Sequence, residues 1–415
     1  MKVALPVSSA YPSDGGGYTF EAEIVAALIE LAPEIAHDIT ILSAAVGDLD
    51  SQHKSITILH PPSQMPALAR WGTALAQTSG QAKLVSLANR LQAAWVRRYL
   101  LQKRFDFAWV LAPAALAQVP THYLPYALTV WDVQHRLQPY FPEVSQGREW
   151  SKRERFYAEH LSRATTVVTG TQRGKFELEH FYRLAPERVT VIPFPTPTLA
   201  MTADVPPSKQ DFLSQHGLPQ DYFFYPAQFW PHKNHATLLR SLHLAIHRHG
   251  LDISVVLTGS DKGNAVYIRQ LIKELNLEHR VHILGFVSQA DLANLYRYAR
   301  ALVFPTHFGP DNLPPLEAFA LGCPVIASAV LGASEQLGKA ALLVDPTDPG
   351  QLAQAMHDLY TDADLRQGLV DRGLARARQW TPSDYARALV NSLDEFERIR
   401  ACWPTSASCD RLSGA

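Results

Sequence analysis

The chain has 415 residues, 47% of them hydrophobic and 19% charged, with a formal net charge of -1. That length suits two domains with sizeable cores, and the near-neutral balance excludes a global electrostatic pull on nucleic acid. No apolar run reaches the roughly 20 residues that a membrane-crossing helix needs, and the scattered Cys323, Cys402 and Cys409 form neither a disulfide framework nor a four-thiolate metal site.

Short β-rich apolar runs alternate with amphipathic helical stretches, the pattern of parallel sheets sandwiched between helices. The first strand, 2–7, begins at once without a secretory signal, so a cytoplasmic protein is expected. Gly15, Gly16 and Gly17 follow it and open a helix carrying Phe20, Ile24, Leu28 and Leu31. Glycines at a strand-to-helix turn either let a backbone approach a phosphate or sugar closely or simply make a flexible loop. Further strands are predicted at 39–43, 56–60, 106–111, 126–131, 165–169 and 188–192. Between Ser51 and Phe105 there is no acidic residue, while Lys54, Arg70, Lys83, Arg90, Arg97, Arg98, Lys103 and Arg104 are cationic. From Lys83 onward Leu84, Leu87, Leu91, Trp95 and Tyr99 recur at helical spacing. This is either a domain helix with its stripe in the core or an amphipathic helix drawn to an anionic membrane surface.

Trp131-Asp132-Val133-Gln134-His135 ends the strand 126–131. Asp132 and His135 either line a ligand crevice or serve as a turn former and a surface group. The run Pro193, Pro195, Pro197, Pro206 and Pro207 forms no sheet interior and reads as a linker. The expected organisation is an N-terminal domain 1–195, a linker 196–210 and a C-terminal domain 211–382. A last helix, 383–400, follows Trp380-Thr381-Pro382, and a Ser/Cys-rich tail, 401–415, closes the chain.

In the second half, strands are predicted at 222–227, 253–258, 281–284, 301–304, 324–328 and 341–344. After the first of these comes the turn Pro231-His232-Lys233-Asn234, then a helix with an apolar stripe at Leu238, Leu239, Leu242 and Ile246. Asn234 suits the helix N-cap, so Lys233 stands beside a positive dipole end where an anion would be welcome. Gly259 ends the strand 253–258 in a place where backbone can approach a ligand. His243 and His247 lie four apart on a helix without the Glu of a zinc motif and read as surface groups. Pro314 and Pro315 suit a first helical turn, Gly322 and Pro324 stop that helix, and Glu317 sits one turn inside it. A carboxylate there can accept hydrogen bonds from ribose hydroxyls while the helix start favours a phosphate.

Leu313-Pro314-Pro315-Leu316-Glu317-Ala318 with Gly322-Cys323-Pro324-Val325 resembles the donor-binding segment of the retaining glycosyltransferases of family 4, also called glycosyl transferases group 1. The family pattern is a Glu, seven residues, a second Glu, then Ala and a Gly-x-Pro-Val turn. The position of the first Glu is Gly309 here, and Asp311 is the nearest acid. The resemblance implies the α/β GT-B architecture, two doubly wound Rossmann-like domains facing across a cleft, with the acceptor on the first and a nucleotide diphosphate sugar on the second. It also implies that the last helix returns to the first domain.

By the same resemblance Lys233 and the residue at Gln228, where relatives carry an Arg, grip the diphosphate. Gly16 and Gly17 lie against donor phosphates and acceptor, the Gly285-Phe286-Val287 turn meets the base, and Asp311, Asn312, Leu313 and Glu317 hold sugar and ribose. Relatives carry His-Asp where this chain has Trp131-Asp132, which makes Asp132 and the nearby His135 the acceptor-side candidates. The implied reaction transfers a hexosyl group, mannosyl or glucosyl, from a GDP- or UDP-sugar to a saccharide or lipid-linked hydroxyl, with no metal and no other cofactor. The rivals are a sugar-nucleotide epimerase on the same fold and a non-catalytic sugar-nucleotide-binding module. A dehydrogenase is disfavoured because no Gly-x-Gly-x-x-Gly follows a strand.

Overall fold

The computed structural model describes residues 1–8, 16–43, 54–59, 82–198 and 207–402. All thirteen predicted strands form, with ends within two residues of expectation. They are β1 Lys2–Pro6, β2 Asp38–Leu42, β3 Ile56–Leu59, β4 Phe107–Val110, β5 Tyr126–Thr129, β6 Thr166–Thr169 and β7 Val189–Val191. The second set is β8 Tyr222–Pro226, β9 Ser254–Thr258, β10 Val281–Gly285, β11 Ala301–Phe304, β12 Val325–Ser328 and β13 Ala341–Val344. Gly15, Asp48, Asp50, Arg70, residues 199–206 and the tail from 403 lie outside the described residues.

The first set makes a seven-stranded sheet in the order β3-β2-β1-β4-β5-β6-β7, and the second a six-stranded sheet in the order β10-β9-β8-β11-β12-β13. The chain thus carries two parallel, Rossmann-like sheets. Parallel strands buried on both faces read as continuous apolar runs, and Tyr222, Phe223, Phe224 and Tyr225 are all fully buried. Two of these four are tyrosines whose hydroxyls need partners inside the core. Tyr222 donates to the Leu295 carbonyl at 2.9 Å, and Tyr225 to the carbonyl of Lys233.

The order of the second sheet reverses direction between β8 and β11, which pair in parallel with Ala301 opposite Phe223. In open α/β sheets ligands bind beyond the carboxyl ends of the strands at such a switch point. The loops that leave β8 and β11 are the ones that carry Lys233 and Glu317.

By contact density the chain divides into two units. One comprises Met1–Thr129, Arg163–Val167 and the chain from Pro382 onward, and the other Val130–Ser162 with Val168–Thr381. In the first, the helix Pro382–Arg400 packs on the helix Gly16–Glu30, with Tyr385 edge-on to Phe20 at 5.4 Å and Phe396 against Phe107 at 4.8 Å. Ion pairs from Arg400 to Asp106 and from the Met1 ammonium to Glu397 (3.0 Å) tie down its end. No helix among the described residues is long and apolar enough to cross a membrane.

Candidate functional site

Lys233 closes a 3-10 turn, Pro231–Lys233, and Asn234 then adopts a left-handed conformation (φ 58) that Asn tolerates better than most residues. The Asn234 side chain accepts from the Thr237 N–H as the N-cap of the helix His235–His249. Its amide nitrogen also donates to the carbonyls of Pro305 (2.9 Å) and Pro346 (2.8 Å). The turn is therefore stitched to the end of β11. The carbonyl of His232 completes the seam by accepting from His307 N (2.8 Å) and Thr306 Oγ1 (3.2 Å).

The Lys233 ammonium lies over the Phe304 ring, 5.3 Å from its centroid, and makes no ion pair among the described residues. Loss of water around it lowers its pKa to about 8, against the opposing pull of Asp132 and Glu143. A desolvated cation without a direct partner is poised for an incoming anion. Asp132 faces it from the loop after β5. Burial works against ionisation of that carboxyl, but Arg153, which is ion-paired to it, and the Gln134 N–H at 2.9 Å outweigh burial and hold its pKa below the ordinary range.

His135 does not line a ligand crevice. It is fully buried, its Nε2 lies 3.2 Å from Glu154 and 3.1 Å from the Tyr182 hydroxyl, and its ring sits against Trp150 and Tyr157. Burial and the Arg153 charge lower its pKa, so it is a neutral core group. The helical turn Gln134–Leu137 puts the His135 ring in the core beside Trp150 and Tyr157, while Asp132 stays partly exposed against Arg153.

Gln228 keeps a fixed orientation because Trp230 Nε1 donates to its Oε1 at 3.0 Å, and Lys262 lies 5.9 Å from the Trp230 ring centroid. Gly259 has a structural reason of its own. At φ +130 its missing Cβ would fall 2.4 Å from the Ala227 carbonyl oxygen, so a glycine is needed where its backbone passes the end of β8. Of the base-side candidates, Phe286 is exposed and Val287 is half-buried against the core. Gly16 and Gly17 are the first residues of their helix, Gly16 exposed.

Glu317 lies in the helix Leu313–Ala320 and its Oε2 accepts from the Tyr296 hydroxyl at 2.7 Å. Pro314 and Pro315 remove two amide donors from the start of that helix, so Leu313 is the only one of its first three residues with an N–H. The Asn312 side chain does not cap the helix. It turns back to the Gly309 carbonyl at 2.6 Å, while the Gln336 amide brackets the Asn312 backbone through two bonds of 3.1 Å.

Gly309 has φ +130, and a Cβ there would fall 2.4 Å from the Asn312 side chain. A Glu here would be strained at that φ and would have to displace the Asn312 side chain. Asp311 does not take over as a free carboxylate: one oxygen is buried without a partner, the Gly170 backbone presses on it, and burial with the nearby Glu335 charge pushes its pKa up to about 7. Glu335 caps another helix by accepting from Gln172 N (2.7 Å) and Arg173 N (3.0 Å).

Two groups stand apart from the candidate site. Cys323 is buried with its thiol pushed up to about 12, an inert packing residue. His243 and His247 lie with ring centroids 4.3 Å apart and tilted to each other, and His243 lies against the Leu275 carbonyl.

The two Rossmann-like sheets, with a lysine and a glutamate beyond the β8/β11 switch point, have the GT-B fold. Residues 208–376 match the model of the family described as Glycosyl transferases group 1. It is similar to the O-antigen chain mannosyltransferase B of Escherichia coli, 26% identical over 328 residues that cover 76% of this chain and 84% of the relative. A D-inositol 3-phosphate glycosyltransferase of Thermobispora bispora is 29% identical over 257 residues, 59% of each chain. The fold matches the crystal structure of Anabaena HepE in complex with UDP and glucose with a TM-score of 0.67 at 16% identity, covering 95% of this chain and all of that one.

Proposed function

We propose that the chain transfers a hexosyl group, mannosyl or glucosyl, from a GDP- or UDP-sugar to a sugar or glycolipid hydroxyl with retention at the anomeric carbon. The product would serve envelope polysaccharide or glycolipid synthesis. The observation that carries this reading is the Lys233 ammonium, desolvated, without an ion pair among the described residues, and fixed at a helix start beside the β8/β11 switch point. As the anomeric C–O bond breaks, negative charge collects on the diphosphate, and a positioned ammonium in a dry site stabilises it as no exposed lysine can. The acceptor hydroxyl attacks from the face that the diphosphate leaves, and the departing phosphate oxygen takes its proton, so no side-chain nucleophile is needed.

Glu317, held by Tyr296, would take the ribose hydroxyls. The loop 309–313 would meet the sugar and the Phe286-Val287 turn the base. Asp132, paired with Arg153, would face the acceptor side. The names of two relatives support saccharide chemistry, one an O-antigen mannosyltransferase and one an inositol phosphate glycosyltransferase. HepE, which binds UDP and glucose, supports a nucleotide-sugar donor.

Incubation with GDP-, UDP- and ADP-sugars, following nucleotide release with and without acceptors and the anomeric configuration by NMR, tests this directly. Release only with acceptor and a retained anomer support the proposal, and activity that survives EDTA supports metal independence. Interconversion of the donor alone would mean an epimerase. Binding without release in any condition would mean a non-catalytic module, a reading that the uncharged Gln228 and the crowded Gly309 position favour.

A cytoplasmic protein held at an anionic membrane surface is part of the same reading. The helix Ala82–Gln102 exposes Leu91 and Leu101 among Arg90, Arg97 and Arg98, followed by Lys103 and Arg104, while Val96 and Leu100 are buried. Binding to cardiolipin or phosphatidylserine vesicles no stronger than to neutral ones at low salt would dismiss it.

A further inference from the structure

The turn that carries Lys233 is gripped by a residue from far along the chain. Glu143, in the helical turn Pro142–Ser145, accepts through Oε1 from the His232 backbone N–H at 3.1 Å and lies in short contact with the ring nitrogen Nδ1. Both side chains are largely buried, 7% exposed for Glu143 and 13% for His232. The other carboxylate oxygen of Glu143 is buried with no hydrogen bond among the described residues. With Nδ1 engaged and the His232 carbonyl fixed by Thr306 and His307, the ring has little freedom, and Phe141 borders it at 6.3 Å. Its Nε2 makes no hydrogen bond among the described residues and is the nitrogen left for a ligand.

We infer that Glu143 is a positioning residue for the diphosphate end of the site, holding the His232 ring by Nδ1 so that Nε2 and the Lys233 ammonium meet the leaving diphosphate together. His232 thereby supplies the second positive group that Gln228 does not. This rests on the proposed donor site and says how that site manages with one permanent cation.

A carboxylate on Nδ1 keeps a proton there, as in other acid–histidine pairs. Nε2 is then an acceptor in the empty site and becomes a donor to a phosphate oxygen once it takes a proton from solvent. Burial keeps the imidazole below its ordinary pKa before the ligand arrives. The charged groups that face it are Glu143, Asp132 and Lys233, two carboxylates against one ammonium. His235 on the following helix and His307 from the loop after β11 complete its titratable surroundings, and burial lowers the pKa of both. A diphosphate tips this balance toward the imidazolium, so binding should take up a proton.

The experiment compares wild type, H232N, E143Q and K233A. UDP and GDP binding is measured by calorimetry in buffers of different ionisation enthalpy, and donor kcat/KM from about pH 5 to about pH 9. At about pH 6.5, where Lys233 is already charged, wild type is expected to take up a proton on binding. H232N should lose that uptake and bind about tenfold more weakly, the scale of one hydrogen bond to a charged group. E143Q should melt like wild type yet shift the histidine-dependent limb of the profile to lower pH, since losing the carboxylate lowers the imidazole pKa, and lowering the pH should restore much of its binding. The lysine-dependent limb should stay in place in H232N and move to lower pH in E143Q, because Glu143 also helps keep the Lys233 ammonium charged. Equal affinity and equal proton uptake in wild type, H232N and E143Q, with K233A impaired, would overturn this inference and leave the proposed function standing. If K233A too behaves as wild type, or no nucleoside diphosphate binds to any of the four proteins, the donor site itself is refuted and the inference with it. H232N leaves Glu143 in place, so the test stands even where E143Q proves unstable.

Discussion

The loops that leave β8 and β11 have diverged in opposite ways from the pattern they resemble. The β8 loop has an uncharged Gln228 but keeps Lys233, and around it stand Asn234 as a cap, Tyr225 under the Lys233 carbonyl and Glu143 on His232. The β11 loop keeps Glu317 with its Tyr296 partner, but at Gly309 the place of the first acid is crowded by Asn312, and the next acid, Asp311, is buried against Gly170. On the proposed reading, the phosphate end keeps the lysine of the pattern and the sugar end departs from it. Leaving-group stabilisation is common to every nucleotide-sugar donor, whereas the hydroxyl pattern differs from sugar to sugar.

The contrast breaks most easily at the lysine. K233A should cut kcat/KM by roughly a hundredfold to a thousandfold, as loss of one preorganised charge-stabilising donor does, with little change in melting temperature. A near-normal rate would remove the β8 loop from the chemistry. G309E, which restores the missing acid, should not restore function. At φ +130 a side chain is strained by about 1–3 kcal/mol and collides with Asn312, so thermal denaturation should show lost stability and activity should fall about tenfold. A gain in rate would mean that the sugar end still uses the family geometry.

The pH dependence follows from Lys233. Its pKa in the empty site lies at about 8, so donor kcat/KM should fall as pH rises through that value, because the neutral amine no longer offsets the diphosphate charge. A profile flat to pH values well above it would contradict the desolvated lysine.

Stability rather than rate sharpens the picture of Asp311. A carboxyl whose folded pKa is raised to about 7 is stabilising while protonated, and that stability is lost as pH rises from the ordinary carboxylate range through about 7. D311N should therefore match wild type only near pH 4 or below and be more stable by on the order of 4 kcal/mol near pH 8. A difference between the two proteins that does not grow between about pH 4 and about pH 8 would place Asp311 in water, free to reach a sugar hydroxyl.

Adjacent positions show how far sequence reading reaches. Asp132 and His135 are three residues apart and equally plausible as site residues on paper. One turns toward Lys233, the other into a buried pair with Glu154 and Tyr182. Gly259 likewise has the composition of a ligand loop, yet its conformation answers to the Ala227 backbone. Glu143 gave no signal at all, since its partner His232 lies 89 positions away and nothing between them marks the pairing.

The local code was sufficient for what depends on neighbours in the chain: apolar runs made the thirteen strands, Asn234 capped its helix, and the prolines and Gly322 bounded the helix that bears Glu317. Those choices follow from backbone sterics and burial of a few consecutive side chains. Which charges meet was decided only by the tertiary structure, because Asp132 and Lys233, Glu143 and His232, and Asp311 and Gly170 come from segments that only folding brings together. The energy of each pairing depends on how much water the completed fold removes from it, a quantity that no local stretch of sequence carries.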